Sequence, residues 1–139
     1  DLIRLEPLHI INYSFDLDYD KNWIKTKVTV KGGAFSGQFV ADFLTTDYEL
    51  LKRDLRKLNN DFNGQTRFEP LEGQLVLKIK GDGLGHFVVH CTACDQPGIG
   101  GKLAFELSFD QTELNRLIRE LDTITKMFPI TGDMNIKNE

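Results

Sequence analysis

The sequence predicts an α+β fold of antiparallel strands with two helices packed on them, in the order βββα-ββββα. Three observations predict it. Apolar and polar residues alternate along several short runs, the period of two that marks half-buried strands. Two longer stretches step instead by three and four, which gives each a single apolar stripe on a helix. Each helix also follows its strand with no linker, so strands and helices must cover one another around a shared core. About seven or eight strands are expected, in one curved sheet or a sandwich.

Residues 2–5 read as a short edge strand. After Pro7, the series His9, Ile11, Tyr13, Phe15 and Leu17 alternates with Asn12, Ser14 and Asp16 and predicts a second. An acidic loop over residues 16–22 then leads to the stretch that organises the chain, residues 20–58. On its first strand Ile24, Val28 and Val30 share one face, and Lys25, Lys27 and Lys31 share the other. Gly32-Gly33 supplies the positive φ angles of a tight hairpin. Phe35, Phe39, Ala41 and Phe43 then line up against Ser36, Gln38 and Asp42. Thr46 is placed to cap the first helix, with Glu49 completing a capping box. The stripe of that helix is Tyr48, Leu51, Leu55, Leu58 and Phe62, and Asn59-Asn60-Asp61 and Asn63-Gly64 read as its stop.

The second half repeats this order. Residues 67–71 make a short strand whose Pro70 suits an edge or an end. Leu75, Leu77 and Ile79 face inward, and residues 81–85, rich in glycine, turn the chain. Phe87, Val89, Cys91 and Ala93 form the next apolar face, with His86, Val88, His90 and Thr92 opposite. After a loop at residues 96–101, Leu103, Phe105, Leu107 and Phe109 make the cleanest alternation in the chain. Asp110 caps the second helix with Glu113 at the capping-box position. Leu114, Leu117, Ile118, Leu121, Ile124 and Phe128 give its stripe, and Pro129 stops it. Residues 1–130 are thus expected to form a single domain, followed by a polar, disordered tail at 131–139.

The chain has 139 residues, of which 40% are hydrophobic and ten are Phe, enough for a substantial core. Its formal net charge is −4 with acids and bases interspersed, which argues against a general nucleic-acid binder. No apolar run approaches the ~20 residues of a membrane span and no signal peptide is recognisable, so the cytoplasm is the expected location. Cys91 and Cys94 are too few for a disulfide framework and point to opposite faces of one strand, so both are read as reduced thiols.

Four patterns invite chemistry, and each fails on its context. Asp16, Asp18 and Asp20 have the opening spacing of a calcium loop, but Lys21 stands where glycine is needed and Lys27 where a bidentate Glu is needed. His90, Cys91 and Cys94 suggest zinc, yet no second ligand pair exists and His86 and His90 point away from Cys91. Gly81-Asp82-Gly83-Leu84-Gly85 resembles a phosphate cradle but joins two strands rather than a strand and a helix. Catalytic serine elbows and metallohydrolase helices are missing, and the strand register buries Cys91, whereas catalytic thiols are partly exposed. No catalytic, cofactor or metal residue is assigned, and the chain reads as a binding protein rather than an enzyme.

The order of these segments resembles the bacterial WapI-type immunity proteins. The resemblance is carried by Asn22-Trp23-Ile24 opening a strand and by Gly33-Ala34-Phe35-Ser36-Gly37 opening the next. It continues through Phe68-Glu69-Pro70-Leu71-Glu72, Gly85-His86, and Leu103 to Phe109 running into Asp110-Gln111-Thr112, and ends at Phe128-Pro129. It spans about residues 8–130 and implies a cytoplasmic, non-catalytic antidote that binds and neutralises a toxin domain of a polymorphic toxin system. If that toxin is a nuclease, its basic active site favours an acidic inhibitor surface. Asp16, Asp18 and Asp20, ahead of Trp23, are then the first candidates for partner contact, although such acids also simply solvate loops. Two other classes stay open. A small-ligand domain would use gaps at Gly37 and Ala41, and a metal enzyme would combine the histidines with Cys91 or Cys94.

Overall fold

The computed structural model describes residues 1–11 and 17–134. Strands β1 (Leu2–Ile10), β2 (Trp23–Gly32) and β3 (Phe35–Leu44) form one antiparallel sheet in that order. Helix α1 (Thr45–Asp61) follows without a break. Strands β4 (Asn63–Phe68), β5 (Leu75–Asp82), β6 (His86–Cys94) and β7 (Lys102–Asp110) form a second antiparallel sheet, and α2 (Gln111–Met127) closes the fold. The predicted α+β order is what the chain adopts, with seven strands in two sheets rather than one curved sheet.

The two meanders share one core. Ile24, Val28, Val30, Ala41 and Phe43 enter it from the first sheet, and Leu77, Ile79, Phe87, Val89, Cys91 and Phe109 from the second. Tyr48, Leu51, Leu55 and Leu58 of α1 and Leu114 and Leu121 of α2 complete it. The sheets meet directly where Phe43 stands edge-on to Phe68, with ring centroids 5.5 Å apart. They meet again where Gly32 lies against Phe105, so closely that a Cβ at Gly32 would sit 2.6 Å from that ring. Within the second sheet Phe87 stacks on Phe109 at 5.2 Å. The helices are tied by Lys52, whose Nζ donates to Thr125 Oγ1 at 2.8 Å and pairs with Glu49 and Asp122. Among the described residues no helix is long and apolar enough to cross a membrane.

Several local expectations are corrected. β1 runs through Pro7 as one strand, because its register against β2 shifts between Pro7 and His9 and so keeps Pro7 and Ile10 both opposite inward residues of β2. Of the second strand expected there, Tyr13 and Phe15 lie outside the described residues, and Leu17 is in a bend. Helix α1 starts at Thr45, and Asp47 rather than Glu49 closes its first turn by accepting from the Leu44 amide at 2.8 Å. Thr46 does not cap it; burial of Thr45 and Thr46 draws the first turn into the core. Phe62 is the left-handed residue that ends α1, at φ 60°, and its ring reaches Phe87 instead of extending the helix stripe. Asn63-Gly64 therefore begins β4 rather than a loop, and β4 ends at Phe68, leaving Pro70 and Leu71 in the following turn. Phe35 is 70% exposed at the hairpin tip, beyond the reach of the shared core.

Candidate functional site

The acidic loop joins β1 to β2 at the end of the first sheet where α1 also begins. It tightens into a 3-10 turn over Tyr19–Asn22, with Asp20 N donating to Leu17 O and Lys21 N to Asp18 O, both at 3.1 Å. Asn22 is fully buried and uses its whole hydrogen-bonding capacity. Its Nδ2 donates to Asp18 O at 2.6 Å and to Thr131 O at 2.9 Å. Its Oδ1 accepts from Thr45 Oγ1 at 2.6 Å and from Thr131 N at 2.8 Å. An amide side chain with two donors and two acceptor sites suits a point where a loop, a helix start and a returning chain converge. An unmet polar group at that depth would cost about 1–3 kcal/mol.

The carboxylates around this clip have distinct environments. Asp18 accepts from Asp133 N at 3.1 Å and from Lys21 Nζ at 3.3 Å. The Asp133 amide first, then Lys21, hold its carboxyl below the ordinary range. Gly132, at φ 75°, is the residue that lets the chain pass, because any Cβ there would strike the Asp18 carboxylate. Asp20 accepts from Trp23 Nε1 at 3.3 Å, and Tyr19 stands edge-on to the Trp23 ring at 5.8 Å. Burial, followed by the charges of Asp47 and Asp20, raises the Tyr19 hydroxyl. Asp47 itself is raised by burial, against the opposing pull of the Leu44 amide. Leu17, Tyr19 and Ile11 remain exposed, so apolar side chains and carboxylates share one surface.

Of the residues singled out from the sequence, Asp16 lies outside the described residues. Asp18, Asp20 and Trp23 come together, but Asp18 turns toward the returning chain and Asp20 toward Trp23. The sequence reading missed Asn22 as the clip, Tyr19 as the aromatic neighbour, and Thr131 and Asp133 as its partners. Asparagine within a turn-forming acidic run was the available signal for the first; a contact across 109 positions left no local signal.

The other patterns are separated by the fold. His90 pairs with Glu106 at 2.9 Å and His86 with Asp82 at 3.1 Å, both on exposed side chains. Cys91 is 2% exposed, and burial pushes its thiol up to about 12. Cys94 is also buried, with its Sγ donating to Gln96 O at 2.9 Å, and both thiols are free. Among the described residues no three His, Cys, Asp or Glu side chains are grouped to hold a metal ion. Two open clefts lie between α1 and β4 and along β6 and β7; neither is lined by Gly37 or Ala41.

Comparison with protein families supplies the context for this loop-bearing fold. The model of the Immunity protein WapI-like family matches residues 5–129. The chain belongs to that family. A search of curated proteins gives no match. The WapI-like match takes in β1 from Leu5 onward, β2 to β7, α1 and α2, and therefore both the acidic loop and the turns at the far sheet. Membership of an immunity-protein family implies a toxin protein as the partner. The resemblance in segment order thus reflects membership.

Proposed function

We propose that this WapI-like protein is an antidote that binds one cognate toxin domain in the cytoplasm and silences it without chemistry of its own. The family match over residues 5–129 carries this reading. The surface we assign to contact is the acidic loop: Asp16, Asp18, Asp20 and Trp23, extended by Leu17 and Tyr19. Carboxylates beside exposed apolar groups suit a basic partner, because charge steers the encounter while buried aromatic and aliphatic area holds the complex. The Asn22 clip and the Trp23–Asp20 hydrogen bond hold Asp18, Asp20 and Trp23 in place, which reduces the entropy lost on binding.

The test is calorimetric titration with the C-terminal domain of the polypeptide encoded beside this protein, its fold verified by its own activity. One-to-one binding at nanomolar strength or tighter, about −12 kcal/mol, together with loss of that activity, is the expected result. Absence of detectable binding overturns the assignment to that partner. A variant carrying Asp16→Asn, Asp18→Asn and Asp20→Asn should bind more weakly and with a shallower salt dependence. Because Asp18 also holds the returning chain, Asp20→Asn and Tyr19→Ala are measured separately. Unchanged affinity in all three variants removes this loop from the interface.

A further inference from the structure

The opposite sheet carries a second surface built for contact. The turn between β4 and β5 and the loop between β6 and β7 emerge side by side from one end of the four-stranded sheet. Each presents a large aliphatic residue outward: Leu71 is 73% exposed and Ile99 85%. Single exposed aliphatics are ordinary on protein surfaces. These two differ in how firmly their supports are joined and held.

Gln74, buried to 3% exposure, locks the two turns together. Its backbone carbonyl accepts from Cys94 N at 2.8 Å, and its Nε2 donates to Cys94 O at 3.3 Å and Asp95 O at 3.1 Å. The first turn closes where Gly73 N donates to Pro70 O at 3.0 Å. The second closes where Gly101 N donates to the Asp95 carboxylate at 2.8 Å and Gly100 N to Gln96 O at 3.2 Å. Pro70 and Pro97 further limit the backbone beside each tip. Leu71 and Ile99 are therefore presented on hydrogen-bonded turns joined through Gln74, an arrangement that lowers the ordering cost of binding a partner. Residues 69–74 and 95–101 contain Glu69, Glu72 and Asp95 and neither Lys nor Arg. Arg67, at the end of β4, pairs with Glu69 at 2.7 Å, and the Asp95 carboxylate is turned onto the Gly101 amide, so Glu72 is the remaining carboxylate of the tips.

We infer that these paired turns are a second anchor for the toxin domain, with Leu71 and Ile99 entering an apolar cleft whose rim is basic. The inference rests on the antidote reading and adds an interface to it. The probe is again the C-terminal domain encoded beside this protein, titrated against the full chain and a Leu71→Asp, Ile99→Asp double variant. Both side chains are exposed, so the variant should keep the parent's melting temperature; Leu71→Ser with Ile99→Ser serves if it does not. Loss of about 100-fold in affinity, mainly through faster dissociation, is expected. Glu72→Lys should slow association and flatten its salt dependence. If the wild type binds and all these variants bind equally well, the paired turns are not an anchor, while the antidote reading stands. If the variants instead change only self-association in sedimentation, the surface belongs to a second copy of this chain and the inference is overturned. If the wild type does not bind, both readings fall for that partner.

Discussion

Asn22 and Thr131 exchange two hydrogen bonds, at 2.9 and 2.8 Å, across 109 positions of sequence. Asn22→Leu removes both, and it strands the buried Thr45 hydroxyl and the part-buried Thr131 N. A loss of about 2–4 kcal/mol in urea unfolding is expected. Ending the chain at residue 130 should cost a similar amount, and the two changes combined should cost less than their sum, because they break the same contacts.

Gly32→Ala should destabilise by about 1–3 kcal/mol, since the added methyl must displace the Phe105 ring or the hairpin tip. Gly37→Ala is the comparison. Its Cβ would meet only Val30 Cγ2, at an ordinary 3.6 Å, so its cost should be smaller. Thermal melts of the two variants side by side check this.

Tyr48 and Thr26 share a buried hydroxyl–hydroxyl bond of 2.8 Å. Tyr48→Phe keeps the ring in the core and deletes that bond, with an expected loss of about 1 kcal/mol. A Thr26→Val, Tyr48→Phe double variant should recover part of it, because neither side then buries an unpartnered oxygen.

The thiols should be silent in the native protein. Cys91 is buried with its thiol pushed up to about 12, and Cys94 is buried with its Sγ donating to a carbonyl. A thiol reagent at pH 8 should label neither on the timescale of a free cysteine and both after denaturation. Rapid native labelling of Cys91 would contradict its placement in the core.

Stability should fall in acid. Asp18, Asp82 and Asp122 are held below their ordinary value, by the Asp133 amide, the Leu84 amide and Lys126 respectively as the leading causes. Their contribution is complete above the unfolded carboxylate value near about 4 and is lost as pH drops through their lower native values. Asp47 runs the other way. Its native value is raised by burial, so its contribution is present in acid and lost as pH rises through that value. The carboxylates held low predict a urea midpoint that falls as pH drops below about 4, with a shallower fall in Asp122→Asn and a steeper one in Asp47→Asn.

Strand and helix identity was legible wherever side chains alternated or stepped along a single face, as at Leu103 to Phe109 and Leu114 to Phe128. It failed where a tertiary contact overrode the local signal. Pro7 reads as a break, yet a bulge absorbs it; Phe62 reads as helix, yet it adopts the left-handed conformation and packs on Phe87. The acidic run was legible as a loop, and Asp18 and Asp20 as neighbours within it. Their division of labour was not, because the partners of Asp18 and Asn22 lie at residues 131–133, far along the chain. Ile99 was visible only as a member of a loop, and Leu71 was read as the end of a short strand that in fact stops at Phe68. That Gln74 joins those turns is a property of sheet order, which period and spacing do not encode.

The bulged edge at β1 has a consequence for how the protein survives crowding. An outer strand with a regular row of free amides and carbonyls invites another chain to add to it and grow a fibre. Here Pro7 offers no amide and the irregularity at Leu8 interrupts the repeat, so the edge is a poor template. The chain can then be concentrated without this edge seeding aggregates.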